Sequence, residues 1–163
     1  VKAGGYVVIL DVMGKKAKTN NRKLKEVKED ALPFGAELHG KWDTRGGWAA
    51  KSHIVTEHPV FDDLPTNQIM HGVYENVHPI TSMSKQEGLY IAGMIGYDHF
   101  PNKDIMLRNY NGTGEVWWSA DVLEASLGNG KMLLSTLQII ENLGKDPVAD
   151  KLLLNMISFS TKN

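Results

Sequence analysis

The side chains that could do chemistry in this chain are a scatter of carboxylates, four spaced histidines and two tryptophans in a glycine-rich stretch. Asp98 and His99 stand side by side at the end of an apolar run, and an acid next to an imidazole is a pairing that general acid–base catalysis uses. Asp11 closes another apolar run. In open α/β sheets ligands collect beyond the C-terminal ends of strands, which makes Asp11 a ligand-binding candidate; the competing reading is a carboxylate that caps a loop. Asp62, Asp63, Asp121 and Glu124 add enough acids for a glycosidase pair, whose separation no sequence reveals. Trp42 and Trp48 belong to FGAELHGKWDTRGGW, residues 34–48. An indole face can pack on the C–H face of a sugar, so both are candidates for carbohydrate binding. Rings that cover a sheet edge are the alternative.

Other chemistry is argued against by what the chain lacks. His53 and His58 are five apart and His71 and His78 seven apart, and neither spacing is a recognised zinc pattern. The histidines therefore read as structural, and no metal or cofactor is expected. With zero cysteines there is no disulfide, no thiolate ligand and no cysteine nucleophile. No P-loop, dinucleotide fingerprint or nucleophile elbow occurs. A Ser-His-Asp site can assemble from distant positions, and nothing local argues for one.

The totals fit one globular domain over residues 1–163, with 42% hydrophobic and 23% charged residues. A net charge of -1 provides no global field toward nucleic acid or an anionic membrane. No apolar run approaches the ~18 residues of a membrane span. Lys15, Lys16, Lys18, Arg22, Lys23 and Lys25 form a cationic segment that could meet phosphate. Glu26, Glu29 and Asp30 follow at once and no aromatic is interleaved, which favours a solvated loop and helix face.

The elements that must position these residues have their own signals. Gly4-Gly5 followed by YVVIL predicts a buried strand over 6–11. Leu24, Val27 and Ala31 mark one face of a short helix over about 21–32, stopped by Pro33. A short strand is expected over 52–57. Pro59 and Pro65 then bracket a compact turn pinned by Val60, Phe61 and Leu64. Val73, Tyr74 and Val77 read as edge-strand anchors. Residues 89–98 predict a strand, with Gly93 and Gly96 signalling a bulge or close approach. Further strands are expected over 105–110, 115–119 and 121–125, joined by Gly/Asn turns that imply antiparallel pairing. After the Gly128-Asn129-Gly130 turn, the apolar run 132–137 suits a strand covered on both faces. Asp146 is an N-cap, Pro147 fits the first helical position, and Asp150 favours the positive end of the dipole. Ala149, Leu152, Leu153, Met156 and Ile157 fall on one helical face. Together these predict an α/β layered fold with a mixed sheet.

Three segments carry a resemblance: KAGGYVVIL; EHPVFDDLPT with the following VYENVHPI; and GNGKMLLSTLQIIENLGKDPVADKLLLNMI. They resemble the class I glutamine-amidotransferase-like (flavodoxin-like) domain, in the version found as an accessory domain of bacterial glycoside hydrolases of the β-galactosidase type. The resemblance implies a flavodoxin-like sheet whose first strands precede Val1, as the C-terminal part of a larger chain. It also implies no catalysis by this domain, since the family's nucleophilic cysteine has no counterpart here. By the same resemblance the partners are neighbouring domains of the parent enzyme, and the location is periplasmic or secreted. An open sheet edge would favour a homo-oligomer. Two other functions remain: a carbohydrate-binding module using Trp42, Trp48, Trp117 or Trp118, and a stand-alone hydrolase using Asp98 and His99 or Asp11.

Overall fold

The computed structural model describes residues 1–10, 37–40, 53–79, 81–84, 88–98 and 115–162. Within them the strands are β1 (Tyr6–Ile9), β2 (Glu37–Gly40), β3 (His53–Val55), β4 (Gln68–Ile69), β5 (Thr81–Ser84), β6 (Leu89–Asp98), β7 (Glu115–Leu127) and β8 (Gly130–Ser135). Two 3-10 helices, Pro59–Phe61 and Gly72–Val77, lie between the strands, and α1 (Ile139–Asn142) and α2 (Pro147–Lys162) follow β8.

These eight strands make one sheet in the order β1-β8-β7-β6-β3-β4, with β5 also on β7 and β2 on β5. β1 runs parallel to β8 and the other pairs are antiparallel, so the sheet is mixed and the chain is of the α/β class. β7 is the axis. β6 lines one edge of it from Glu115 to Glu124, while the other edge is shared by β8, opposite residues 122–127, and β5, opposite Ser119 and Ala120. The expected strands at 115–119 and 121–125 are one continuous element of 13 residues.

The β6–β7 ladder contains two irregularities that cancel. Tyr90 pairs with Leu123, Ala92 with Val122 and Gly93 with Ala120, so Ile91 on β6 and Asp121 on β7 are each extra. A bulge breaks the alternation of a strand and re-aims a side chain. Accordingly Ile91 and Ala92 are consecutive yet both belong to the core cluster that α2 covers, as does Val122. Ala120, Leu123 and Ala125 belong to the cluster on the opposite face, with Met83, Met132 and Leu134. β8 feeds both layers, which is why its apolar run carries no polar alternation: Leu133 faces one and Met132 and Leu134 the other.

α2 begins where the sequence says it should. The Val148 amide donates to Asp146 Oδ1 (2.7 Å), and Asn76 Nδ2 donates to the other carboxylate oxygen (2.8 Å). Ala149, Leu152 and Met156 are fully buried. Ile157, expected on that face, is 48% exposed beside Leu154 at 64%. At 100° per residue it has drifted to the flank of a stripe centred on Leu152 and Met156. The turn around 59–65 docks on this helix: Asn155 Nδ2 donates to the carbonyls of Val60 (3.2 Å) and Asp62 (2.9 Å).

The edge-strand reading of Val73, Tyr74 and Val77 is overturned. They lie in the 3-10 helix Gly72–Val77, where residues three apart eclipse, so Tyr74 and Val77 point inward together and Val73 outward. The Tyr74 hydroxyl donates to the Pro65 carbonyl, tying this helix to the preceding turn. At the other end of the sheet the N-terminal residues wrap the β7–β8 hairpin so closely that a Cβ on Gly130 would sit 2.2 Å from the Val1 carbonyl oxygen. The expected helix over 21–32, strand over 105–110 and turn at 111–114 lie outside the described residues.

Candidate functional site

The bulge at Asp121 sits where β7 changes partner from β5 to β8. Its carbonyl, freed from the β6 ladder, accepts from the Thr136 amide (2.9 Å) just past the end of β8. Its carboxylate points to the face that carries α2 and collects donors from two other strands. His53 Nδ1 on β3 lies 2.6 Å from Oδ2, and the Ser82 hydroxyl on β5 donates to Oδ1. His53 is 1% exposed, and Ser82 and Asp121 are 0%. One carboxylate thus ties its own strand β7 to two others, β3 and β5, through residues 68 and 39 positions away in the sequence.

Such a group is tolerable in a core only when its oxygens are satisfied, because an unpaired buried charge is costly. Both Asp121 oxygens are. The remaining atom is His53 Nε2, which is buried and has no hydrogen-bond partner among the described residues. An ionised carboxylate only accepts, so the imidazole donates from Nδ1, and in the neutral ring Nε2 is then the bare nitrogen. Against this ring packs His78, edge to face, with ring centroids 4.5 Å apart. His78 Nδ1 reaches the Pro79 carbonyl (3.1 Å), and the His78 carbonyl accepts from Gln138 Nε2 (2.6 Å). Burial pushes the His78 imidazole below its ordinary pKa and neighbouring His53 pushes it further, with the Pro79 carbonyl and Asp121 acting in the opposite sense.

The chemical capability follows from who bonds to whom. In a hydrolytic triad the serine bonds to the imidazole nitrogen that the carboxylate does not touch. Here Ser82 and His53 take the two oxygens of the same carboxylate, so Ser82 is not activated by His53. The arrangement is the Asp–His half of an acid–base relay, sealed in the interior, with its basic nitrogen covered. No group of three or more potential metal ligands occurs among the described residues.

Of the other candidates, Asp98 ends β6 opposite Glu115. His99, Asp11, Trp42 and Trp48 lie outside the described residues. Trp117 and Trp118 are on β7, opposite Gly96 and Ile95. Asp63 is on the surface, paired with Lys151 (2.6 Å), which holds its carboxyl below the usual range. His58 behaves as a structural histidine. Its Nδ1 accepts from the Val60 amide (3.2 Å) at the start of a 3-10 helix, its ring meets Phe159, and burial pushes its pKa down.

Sequence reasoning counted Asp121 among several acids and passed over Ser82. Little along the chain could have found them: β7 carries three carboxylates, Glu115, Asp121 and Glu124, and no local pattern singles out the one that the bulge turns inward. Set against known proteins, the chain matches no family model, and no curated protein or solved structure is significantly similar to it.

Proposed function

We propose that this chain is a non-catalytic accessory domain of a multidomain bacterial glycoside hydrolase, with a structural and packing role toward neighbouring domains. The observation that carries the reading is how the three segments of the family resemblance pack. The HPVFDDLP turn docks on α2 through Asn155 and Lys151, the VYENVHP segment docks on the start of the same helix through Asn76 and on Gln138, and β1 pairs with β8. The resemblance is thus carried by residues whose work is to hold one scaffold together. The inward-facing use of Asp121, with Ser82 bonded to the carboxylate instead of to an imidazole, supports a stabilising over a hydrolytic role. The parallel β1–β8 pair followed by α2 is the part of the sheet that supports a flavodoxin-like, amidotransferase-like arrangement.

The test is to isolate the native polypeptide that carries this sequence, measure its intact mass and assay it on a panel of nitrophenyl glycosides. A chain several times longer than 163 residues that cleaves a glycoside is expected. A polypeptide of about this length, or a long one inert across the panel, would sink the proposal.

A further inference from the structure

The described residues hold one buried basic nitrogen without a partner, and one half-buried imidazole packed on the ring that bears it. We propose that His78 is a proton-operated gate over the His53–Asp121 pair: protonated, its ring leaves the stack and opens His53 Nε2 to water.

The geometry makes His78 the mobile member. His53, Ser82 and Asp121 are fully enclosed and bonded to one another across three strands, whereas the backbone of His78 is held by Gln138 and its half-buried ring makes, among the described residues, one hydrogen bond, to the carbonyl of its neighbour Pro79, besides the stack on His53. The groups that face His53 can be taken element by element. β7 contributes the Asp121 carboxylate, β5 the Ser82 hydroxyl, and residue 78 the second imidazole. The β6 residues paired to β3, namely Ala92, Gly93 and Met94, carry no ionisable group, nor does Ile69 of β4. His78 in turn faces His53 from β3 and Asp121 from β7. The site therefore has one negative charge and two imidazoles.

The direction is set by linkage. In the closed state His78 binds a proton less readily than an ordinary imidazole, because of burial and the adjacent His53 ring. In the open state it regains the ordinary value of about 6.5. The open state then binds more protons, so closure is fully favoured above about pH 6.5 and is lost as pH falls through that value toward the lower closed-state pKa. Each pH unit in that window raises the opening constant by up to about tenfold.

Nuclear magnetic resonance on the full chain tests this. The His53 Nδ1–H bonded to Asp121 should give a downfield resonance that exchanges slowly at pH 7.5. Expected is its loss to exchange with water as pH falls through the titration of the His78 ring, followed by its Cε1–H shift. In His78→Phe, which keeps a ring and removes the titration, the resonance should survive at least one pH unit lower. His78→Gln is the second variant, should the phenyl ring disturb folding. The gate is overturned if the wild-type resonance persists through the His78 titration. It is equally overturned if exchange sets in more than a unit away from that titration, or if a folded position-78 variant loses the signal at the wild-type pH.

Discussion

Asp121→Ala is the perturbation that tests the central packing claim most directly. Removing the carboxylate leaves two donors, the Ser82 hydroxyl and His53 Nδ1–H, in positions that solvent does not reach. A buried donor stripped of its acceptor costs about 1–3 kcal/mol. Two of them give about 3–5 kcal/mol once some relaxation is allowed, a large part of the ~5–15 kcal/mol that holds a typical domain together. Asp121→Asn retains one acceptor oxygen but turns an amide toward the other donor, so about half the loss is expected. Urea denaturation at pH 7.5, followed by far-ultraviolet circular dichroism, measures both. With a slope of about 2 kcal/mol per molar urea, the alanine variant should lower the midpoint by roughly 2 M at unchanged slope. Adding Ser82→Ala to Asp121→Ala should then cost little more, because the hydroxyl orphaned by the first change is removed by the second. An alanine variant that loses less than about 1 kcal/mol, or strictly additive single and double variants, would show that the carboxylate does not tie the strands together.

Other expectations follow from the same contacts. Asp146→Ala removes the N-cap of α2 and the acceptor for Asn76, and should cost about 1–2 kcal/mol in the same denaturation assay. The Asn76 and Val148 donors hold the Asp146 carboxyl below its usual pKa. Its stabilising contribution is thus fully present above the ordinary carboxyl pKa of about 4 and is lost as pH falls below that toward the lower folded-state pKa, so wild type and Asp146→Ala should draw together in stability as pH is taken below about 4. Asn155→Ala releases the 59–65 turn from α2 and should lower stability by about 1–2 kcal/mol, with hydrogen exchange rising first at the Leu64 amide. Gly130→Ala drives a Cβ into the Val1 and Gly5 carbonyl oxygens and should cost about 1–3 kcal/mol, read as a fall in midpoint. Gly144→Ala meets only the strain of a positive φ in open space, and about 1 kcal/mol is expected.

The parts of the fold that announce themselves do so through local physics. Asp146, Pro147 and Gly144 mark the start of α2 because capping depends on neighbours in sequence. β1, β6 and β8 are legible as strands from their uncharged apolar runs after glycine turns, but only β8 is buried along nearly its whole length: β1, expected to be buried, is half-buried throughout. Tyr74 and Val77 misread as a strand because a turn-rich segment with three-residue spacing has no period long enough to distinguish a 3-10 turn from an edge strand. Ile157 misreads because a five-residue apolar set fixes the direction of a helix face but not its width. α1 is missed since four residues carry no amphipathic repeat. The buried polar cluster was the least legible of all. It depends on β3, β5 and β7 meeting, and on a bulge that turns one acid inward. No spacing along the chain encodes either event.

The paired bulges have a consequence for how this sequence can vary. Ile91 and Asp121 each add one residue to facing strands, and the cross-strand register is the same before and after them. Losing either residue alone would slip one flank of the hairpin by one position and exchange its inside and outside faces. Losing both would restore an unbroken ladder and keep both flanks, at the expense of the inward carboxylate. Single-residue deletions at these two positions should therefore be strongly epistatic. Lineages that shed one would be expected to shed the other and, with it, the need for a histidine at 53 and a serine at 82.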